Sequence, residues 1–67
     1  MIKLGIFRTK ENNSYACHYF PESKKVEAVG PLTDRMGSRG VTFETIADSE
    51  EEARKKIEEA IESGELK

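Results

Sequence analysis

Residues 47–64 have the sequence ADSEEEARKKIEEAIESG, which carries the clearest secondary-structure signal in the chain. Ser49, followed three residues later by Glu52, forms a capping box, a common start of an α-helix. Gly64 stands where a glycine in the left-handed conformation ends a helix. We therefore predict a helix over residues 49–63, and because its apolar stripe is thin, it must pack on a sheet. The stripe consists of Ala53, Ile57, Ala60 and Ile61.

The residues before this helix show the period-two alternation of β-strands. Asn12 and Asn13, which tolerate the positive φ of a hairpin turn, separate an alternating first segment from an aromatic-rich run that stops at Pro21. The predicted fold class is α+β: residues 1–67 form a single domain, with a small antiparallel sheet of three to four strands and the C-terminal helix packed on one face. The predicted strands cover about residues 2–8, 14–20, 25–29 and 41–47.

The two faces of this sheet are predicted to differ. The side chains expected under the helix are Ile2, Leu4, Ile6, Cys17 and Tyr19. Phe7, His18 and Phe20 are expected on the opposite, uncovered face. Because a cluster of aromatic groups on an uncovered face indicates a contact surface, these three residues are candidates for protein binding.

Size and composition limit how the domain is stabilised. The chain has 67 residues, of which 36% are hydrophobic and 36% charged. A domain of this size buries only about 60% of the surface of its unfolded chain. Cys17 is the only cysteine, so no internal disulfide can form, and a lone thiol suits a reducing, cytoplasmic setting. We therefore expect a homodimer or a protein partner to add stability, and no membrane span or signal peptide is recognisable.

Catalytic and metal-binding patterns are missing from the sequence. Cys17 and His18 are adjacent, but neighbours on a strand point to opposite faces, so they are not expected to share a hydrogen bond. His18 is the only histidine, which leaves no histidine cluster to bind a metal. We therefore predict that the chain is not an enzyme and needs no cofactor or metal.

Charge is unevenly distributed along the chain. Residues 1–47 carry seven basic and five acidic side chains, whereas residues 48–67 carry four basic and eight acidic ones. The sheet side is therefore mildly basic, and a small nucleic-acid-binding domain that uses the sheet face and the 31–40 loop is the alternative function. Its candidate residues are Lys3, Arg8, Lys24, Lys25, Arg35 and Arg39.

Two segments carry a resemblance to a known family. Residues 15–22, YACHYFPE, follow a polar turn and end in an aromatic residue, a proline and an acid. Residues 48–53, DSEEEA, are followed by Ile57 and by the run Glu59-Ala60-Ile61. In this order the segments resemble the second strand and the helix of HicB-like antitoxins, over residues 2–22 and 41–63.

The resemblance implies a small, often dimeric domain that binds and blocks a toxin ribonuclease. Two features depart from the family pattern. Residues 23–40 separate the Pro-acid corner from the last strand, where the family has a short connection, and the sequence ends at Lys67, whereas longer members carry a C-terminal DNA-binding segment. The sequence therefore predicts a non-enzymatic protein-binding module, antitoxin-like or another small inhibitor, that acts by occupying the surface of a partner.

Overall fold

In the computed structural model, which describes residues 1–32 and 40–67, four antiparallel strands are followed by an α-helix. The elements are β1 (Ile2–Arg8), β2 (Ser14–Phe20), β3 (Lys25–Val29), β4 (Val41–Ile46) and α1 (Glu50–Ser63). The strands lie in the sheet in chain order, each antiparallel to the next, and α1 packs on one face. The predicted α+β fold, with its sheet and C-terminal helix, is confirmed.

Both ends of α1 are fixed by the residues that the sequence indicated. The Ser49 hydroxyl accepts a hydrogen bond of 3.1 Å from the Glu52 N–H, and the Glu52 carboxylate accepts one of 3.0 Å from the Asp48 N–H. These bonds satisfy backbone donors that the first turn of a helix leaves without partners. Gly64 ends the helix with φ of 88°, a conformation that costs glycine little. Ser49 is the cap, so the first helical residue is Glu50.

The hydrophobic core lies between α1 and the sheet. Ala53, Ile57 and Ala60 line the buried side of α1, in agreement with the predicted stripe. The Tyr19 hydroxyl donates a buried hydrogen bond of 2.9 Å to the Ala47 carbonyl, which ties the sheet to the start of the helix. The sheet and the chain after α1 contribute the other buried apolar residues: Leu4, Tyr15, Cys17, Tyr19, Val26, Ala28, Ala47 and Leu66.

A β-bulge in β1 corrects the predicted faces of two residues. The pairing with β2 shifts by one residue between Lys3 and Gly5, and Gly5 has φ of 107°. One extra residue in a strand moves every later side chain to the other face. Ile6 was predicted under the helix but is 62% exposed on the opposite face, and Phe7 was predicted outside but packs against the core. The other predictions for the helix side, Ile2, Leu4, Cys17 and Tyr19, are confirmed.

The segment after α1 returns to the first hairpin. Leu66 is fully buried, and its N–H donates to the Ala60 carbonyl at 3.1 Å. The backbone carbonyl of Lys67 accepts hydrogen bonds from the Thr9 hydroxyl, at 2.8 Å, and from the Asn13 side chain. The end of the helix is therefore fastened to the turn between β1 and β2.

Candidate protein-binding face

The face of the sheet opposite α1, called here the open face, presents an apolar row that crosses all four strands. Ile6 of β1 pairs with Ala16 of β2, Ala16 pairs with Val29 of β3, and Val29 pairs with Val41 of β4. Residues paired directly across strands share a face. The two ends of this row are the most exposed, with Ile6 at 62% and Val41 at 46%. An apolar strip therefore runs the full width of the sheet, and no layer formed by residues 1–32 or 40–67 covers it.

A charged row runs parallel to the apolar row. It consists of Lys3, His18, Glu27 and Glu44, paired in that order from β1 to β4. Lys25, in the next row, bridges the two carboxylates, with its amine 2.7 Å from Glu44 and 3.2 Å from Glu27. Hydrogen bonds to Glu44 and to Glu27 raise the pKa of the Lys25 amine above its ordinary value. Positive charge therefore lies at the β1 end of the row and carboxylates lie at the β3–β4 end.

The third row of the open face is again mainly apolar. Phe20 of β2 and Ile46 of β4 flank Lys25 of β3. Ile46 is 61% exposed, whereas Phe20 is half-buried. The open face thus has apolar side chains on both sides of a charged centre.

The three protein-binding candidates predicted from the sequence do not all lie on the same face of the sheet. His18 and Phe20 lie on the open face as predicted. Phe7 lies on the α1 side, so the prediction for Phe7 is wrong. Sequence reasoning missed the exposed isoleucines of the open face and both of its valines. For Ile6 a signal was available, because glycine inside an alternating strand, here Gly5, often marks a bulge. The missed residues are Ile6, Val29, Val41 and Ile46.

The nucleic-acid candidates do not form one basic surface in the described part of the chain. Lys24 lies in the turn after β2 and pairs with Asp48 at 3.3 Å, and Lys25 is held by two glutamates. Lys3 and Arg8 are both exposed on β1. Arg35, Arg39 and most of the 31–40 loop lie outside the described residues.

The Cys17 thiol and the His18 imidazole lie on opposite faces of the sheet. Cys17 is 1% exposed on the α1 side, where its thiol lies 3.8 Å from the Tyr15 carbonyl, while His18 lies on the open face. Within residues 1–32 and 40–67, no group of three or more His, Cys, Asp or Glu side chains is arranged to hold a metal ion. No helix in the same ranges has both the length and the apolar character that crossing a membrane requires.

Cys17 provides a prediction for alkaline pH. Burial raises the pKa of its thiol from 9.0 to about 12. The unfolded chain releases this proton near pH 9 and the folded chain does not, so the stabilising contribution is complete below pH 9 and is lost as pH rises toward 12. Between pH 8 and pH 10 we expect wild type to lose about 1.3 kcal/mol more unfolding free energy than Cys17→Ala.

Urea titrations of both proteins by circular dichroism at the two pH values measure this difference. Tyrosine and lysine ionisation affects both proteins alike and cancels in the comparison. An equal loss in wild type and Cys17→Ala would show that the thiol ionises as readily in the folded chain as in the unfolded one.

Comparisons of the chain with protein-family models, with curated proteins and with solved structures found no match. The fold itself defines the class as a small α+β domain, in which residues 1–32 and 40–67 leave one face of the sheet open. The resemblance to HicB-like antitoxins stays a prediction from the two sequence segments that carry it.

Proposed function

We propose that this chain is a non-enzymatic protein-binding module that uses the open face to cover a surface of another protein. The observation that supports this most is the exposure of Ile6 and Val41, at 62% and 46%, at the two ends of one apolar row. Contiguous apolar surface with polar groups beside it is typical of protein-interaction sites, whereas apolar residues scattered singly have no such meaning. Here the exposed side chains lie in rows set by strand pairing, so they form one surface.

The charges on the open face favour a protein over a nucleic acid as its partner. Nucleic-acid binding depends on cations that are free to neutralise phosphates. Lys25 is engaged by Glu27 and Glu44, and these carboxylates would repel a phosphate backbone. The alternative of nucleic-acid binding is therefore the less supported one.

The form of action that we propose is inhibition by occupancy, as in the antitoxins that residues 2–22 and 41–63 resemble. Such a module needs no catalytic group, only a rigid surface that fits a partner. The acidic exterior of α1, with Glu51, Glu58 and Glu59 exposed, lies on the opposite side of the sheet from the open face and is not part of this contact. A cytoplasmic location, a homodimeric state and a toxin ribonuclease as the partner belong to this proposal.

A capture experiment with matched variants tests the proposed function. The tagged chain is incubated at physiological salt with a lysate of the cells it comes from, in parallel with Ile6→Glu on the open face and Lys55→Glu on α1. Both substitutions place a carboxylate at an exposed position. We expect Ile6→Glu to retain at least about tenfold less of the captured protein, because a charge would be buried without a partner at the contact. Lys55→Glu should retain as much as wild type.

Circular dichroism establishes that both variants are folded before capture. Equal retention by Ile6→Glu and wild type would move the binding surface away from the open face. A wild-type chain that retains no protein at physiological salt would contradict the function itself.

A further inference from the structure

The charged row of the open face is polarised from one edge of the sheet to the other. Lys3 lies on edge strand β1, and Glu44 lies on the opposite edge strand, β4. Lys25 neutralises one of the carboxylates beside it, which leaves one net negative charge on the β3–β4 half. The β1–β2 half of the same row carries the positive charge of Lys3. A surface that fits the open face must therefore be negative opposite β1 and positive opposite β4.

A second copy of the chain presents these complementary charges when its open face is turned over about an axis parallel to the strands. A two-fold axis of this kind, lying between two stacked sheets, reverses the order of the strands and leaves the order of the rows unchanged. β1 of one copy then lies over β4 of the other, and β2 lies over β3. Lys3 faces Glu44 of the second copy, and Ile6 faces Val41 of the second copy. Each contact occurs twice, as two-fold symmetry requires.

The other two-fold axis that keeps the strands of the two sheets aligned is perpendicular to the strands, and it is unfavourable. An axis perpendicular to the strands along the charged row keeps each strand over its own copy. Lys3 would then face Lys3 of the second copy, and Glu44 would face Glu44 of the second copy. Juxtaposed like charges disfavour that arrangement, so the charge pattern selects one orientation of the two sheets.

We propose that a second copy of this chain covers the open face, forming a two-layer sandwich of sheets with the helices outside. The inference rests on the proposed function, because it takes the open face as a protein-binding surface and names one protein that fits it. The homodimer shields Ile6 and Val41 until a partner protein displaces the second copy. Self-association and partner binding therefore compete for the same residues.

The geometry of stacked sheets allows the paired charges to meet. Aligned sheets pack about 10 Å apart and cross at about 30°. With strands about 4.8 Å apart, Lys3 and Glu44 lie about 7 Å from the central axis, so this rotation displaces them by about 4 Å. The long lysine and glutamate side chains span that distance at the rim of the interface, where water still reaches them.

The size of the face sets the expected strength of the dimer. Four strands about 4.8 Å apart and the five residues per strand from the apolar row to the third row give a footprint of roughly 330 Å² per copy. Stable interfaces bury about 800 Å² of accessible surface per partner, so this one lies at the small end. We expect a dimer that dissociates in the micromolar range.

Substitutions that reverse the charges of Lys3 on β1 and Glu44 on β4 test the inference. Sedimentation velocity of the purified full chain, from about 1 to 500 μM, compares wild type with Lys3→Glu, with Glu44→Lys and with an equimolar mixture of the two variants. Each variant alone places two pairs of like charges in its homodimer. In the heterodimer that the mixture forms, the introduced glutamate faces the introduced lysine and the unchanged Lys3 faces the unchanged Glu44, so opposite charges meet in both pairs. Lys55→Glu on α1 controls for the change in net charge that Lys3→Glu makes.

We expect each single variant to dissociate at least tenfold more readily than wild type, and the mixture to recover to within about threefold of wild type. Lys55→Glu should match wild type. A wild-type chain that stays monomeric at the highest concentration overturns the inference, as does a mixture that is no stronger than its components. Neither result affects the proposed function, because capture of another protein by wild type and Ile6→Glu is measured separately.

Discussion

Replacing Ile57 by alanine is expected to lower the free energy of unfolding by about 3 kcal/mol. Ile57 is fully buried at the centre of the side of α1 that faces the sheet, between Ala53 and Ala60. Because both neighbours on this stripe are small, no nearby helix side chain can fill the cavity that the substitution leaves. A domain of this length has a total stability of roughly 3 to 10 kcal/mol, so one substitution removes a large part of it.

The matched control for Ile57→Ala is Ile6→Ala, the same chemical change on the open face. Ile6 is 62% exposed, so its truncation removes little buried surface and is expected to cost less than about 1 kcal/mol. Thermal unfolding followed by circular dichroism, at one low protein concentration for all proteins, separates the two effects. Ile57→Ala should melt about 15 °C lower than wild type. If the two variants lose the same stability, α1 does not cover the face of the sheet described above.

Replacing Leu66 by alanine is expected to cost about 2 to 3 kcal/mol. Leu66 is 1% exposed although it follows the C-cap of α1, and its N–H donates to the Ala60 carbonyl at 3.1 Å. Truncation removes the apolar contact that holds this segment against the core, and it loosens the Lys67 carbonyl that accepts the Thr9 hydroxyl. The loss of packing and the loss of this hydrogen-bonded anchor therefore both lower the free energy of unfolding.

Glu65→Ala is the control for Leu66→Ala, because the neighbouring side chain is exposed and points away from the core. Its expected effect is within about 0.5 kcal/mol of zero. Urea denaturation with tyrosine fluorescence measures both variants, and Tyr15 lies in the same core. A Leu66→Ala protein as stable as Glu65→Ala would show that the segment after α1 does not pack on the core.

Local chemistry explains why the elements were predictable. The capping box at Ser49, the C-cap at Gly64 and the stop at Pro21 act through neighbouring residues, so sequence patterns predicted α1 and the ends of the strands. The bulge at Gly5 also has a local signal, but its consequence is distant, because it changes the face of Ile6 and Phe7. Alternation alone assigns Ile6 and Phe7 to the wrong faces unless the glycine is interpreted as a bulge.

The candidate site was predictable only in part, for the same reason. His18 and Phe20 follow the simple alternation of β2 and were placed correctly on the open face. The apolar row depends on the register of three strand pairs, including the shift beside Val29, and register is decided by tertiary contacts. The burial of Leu66 likewise depends on packing between segments that are distant in the sequence, which no local pattern indicates.

Methyl NMR spectroscopy tests most directly whether the open face binds protein. Methyl groups of Ile6, Val41 and Ile46 report on the open face, and those of Ile57 and Leu66 report on the core. Spectra of the ¹³C-labelled chain are recorded with and without the protein eluted from the capture experiment. We predict shifts and broadening at the open-face methyls, with the core methyls almost unchanged. Open-face methyls that stay unperturbed while amides of α1 shift would contradict the account.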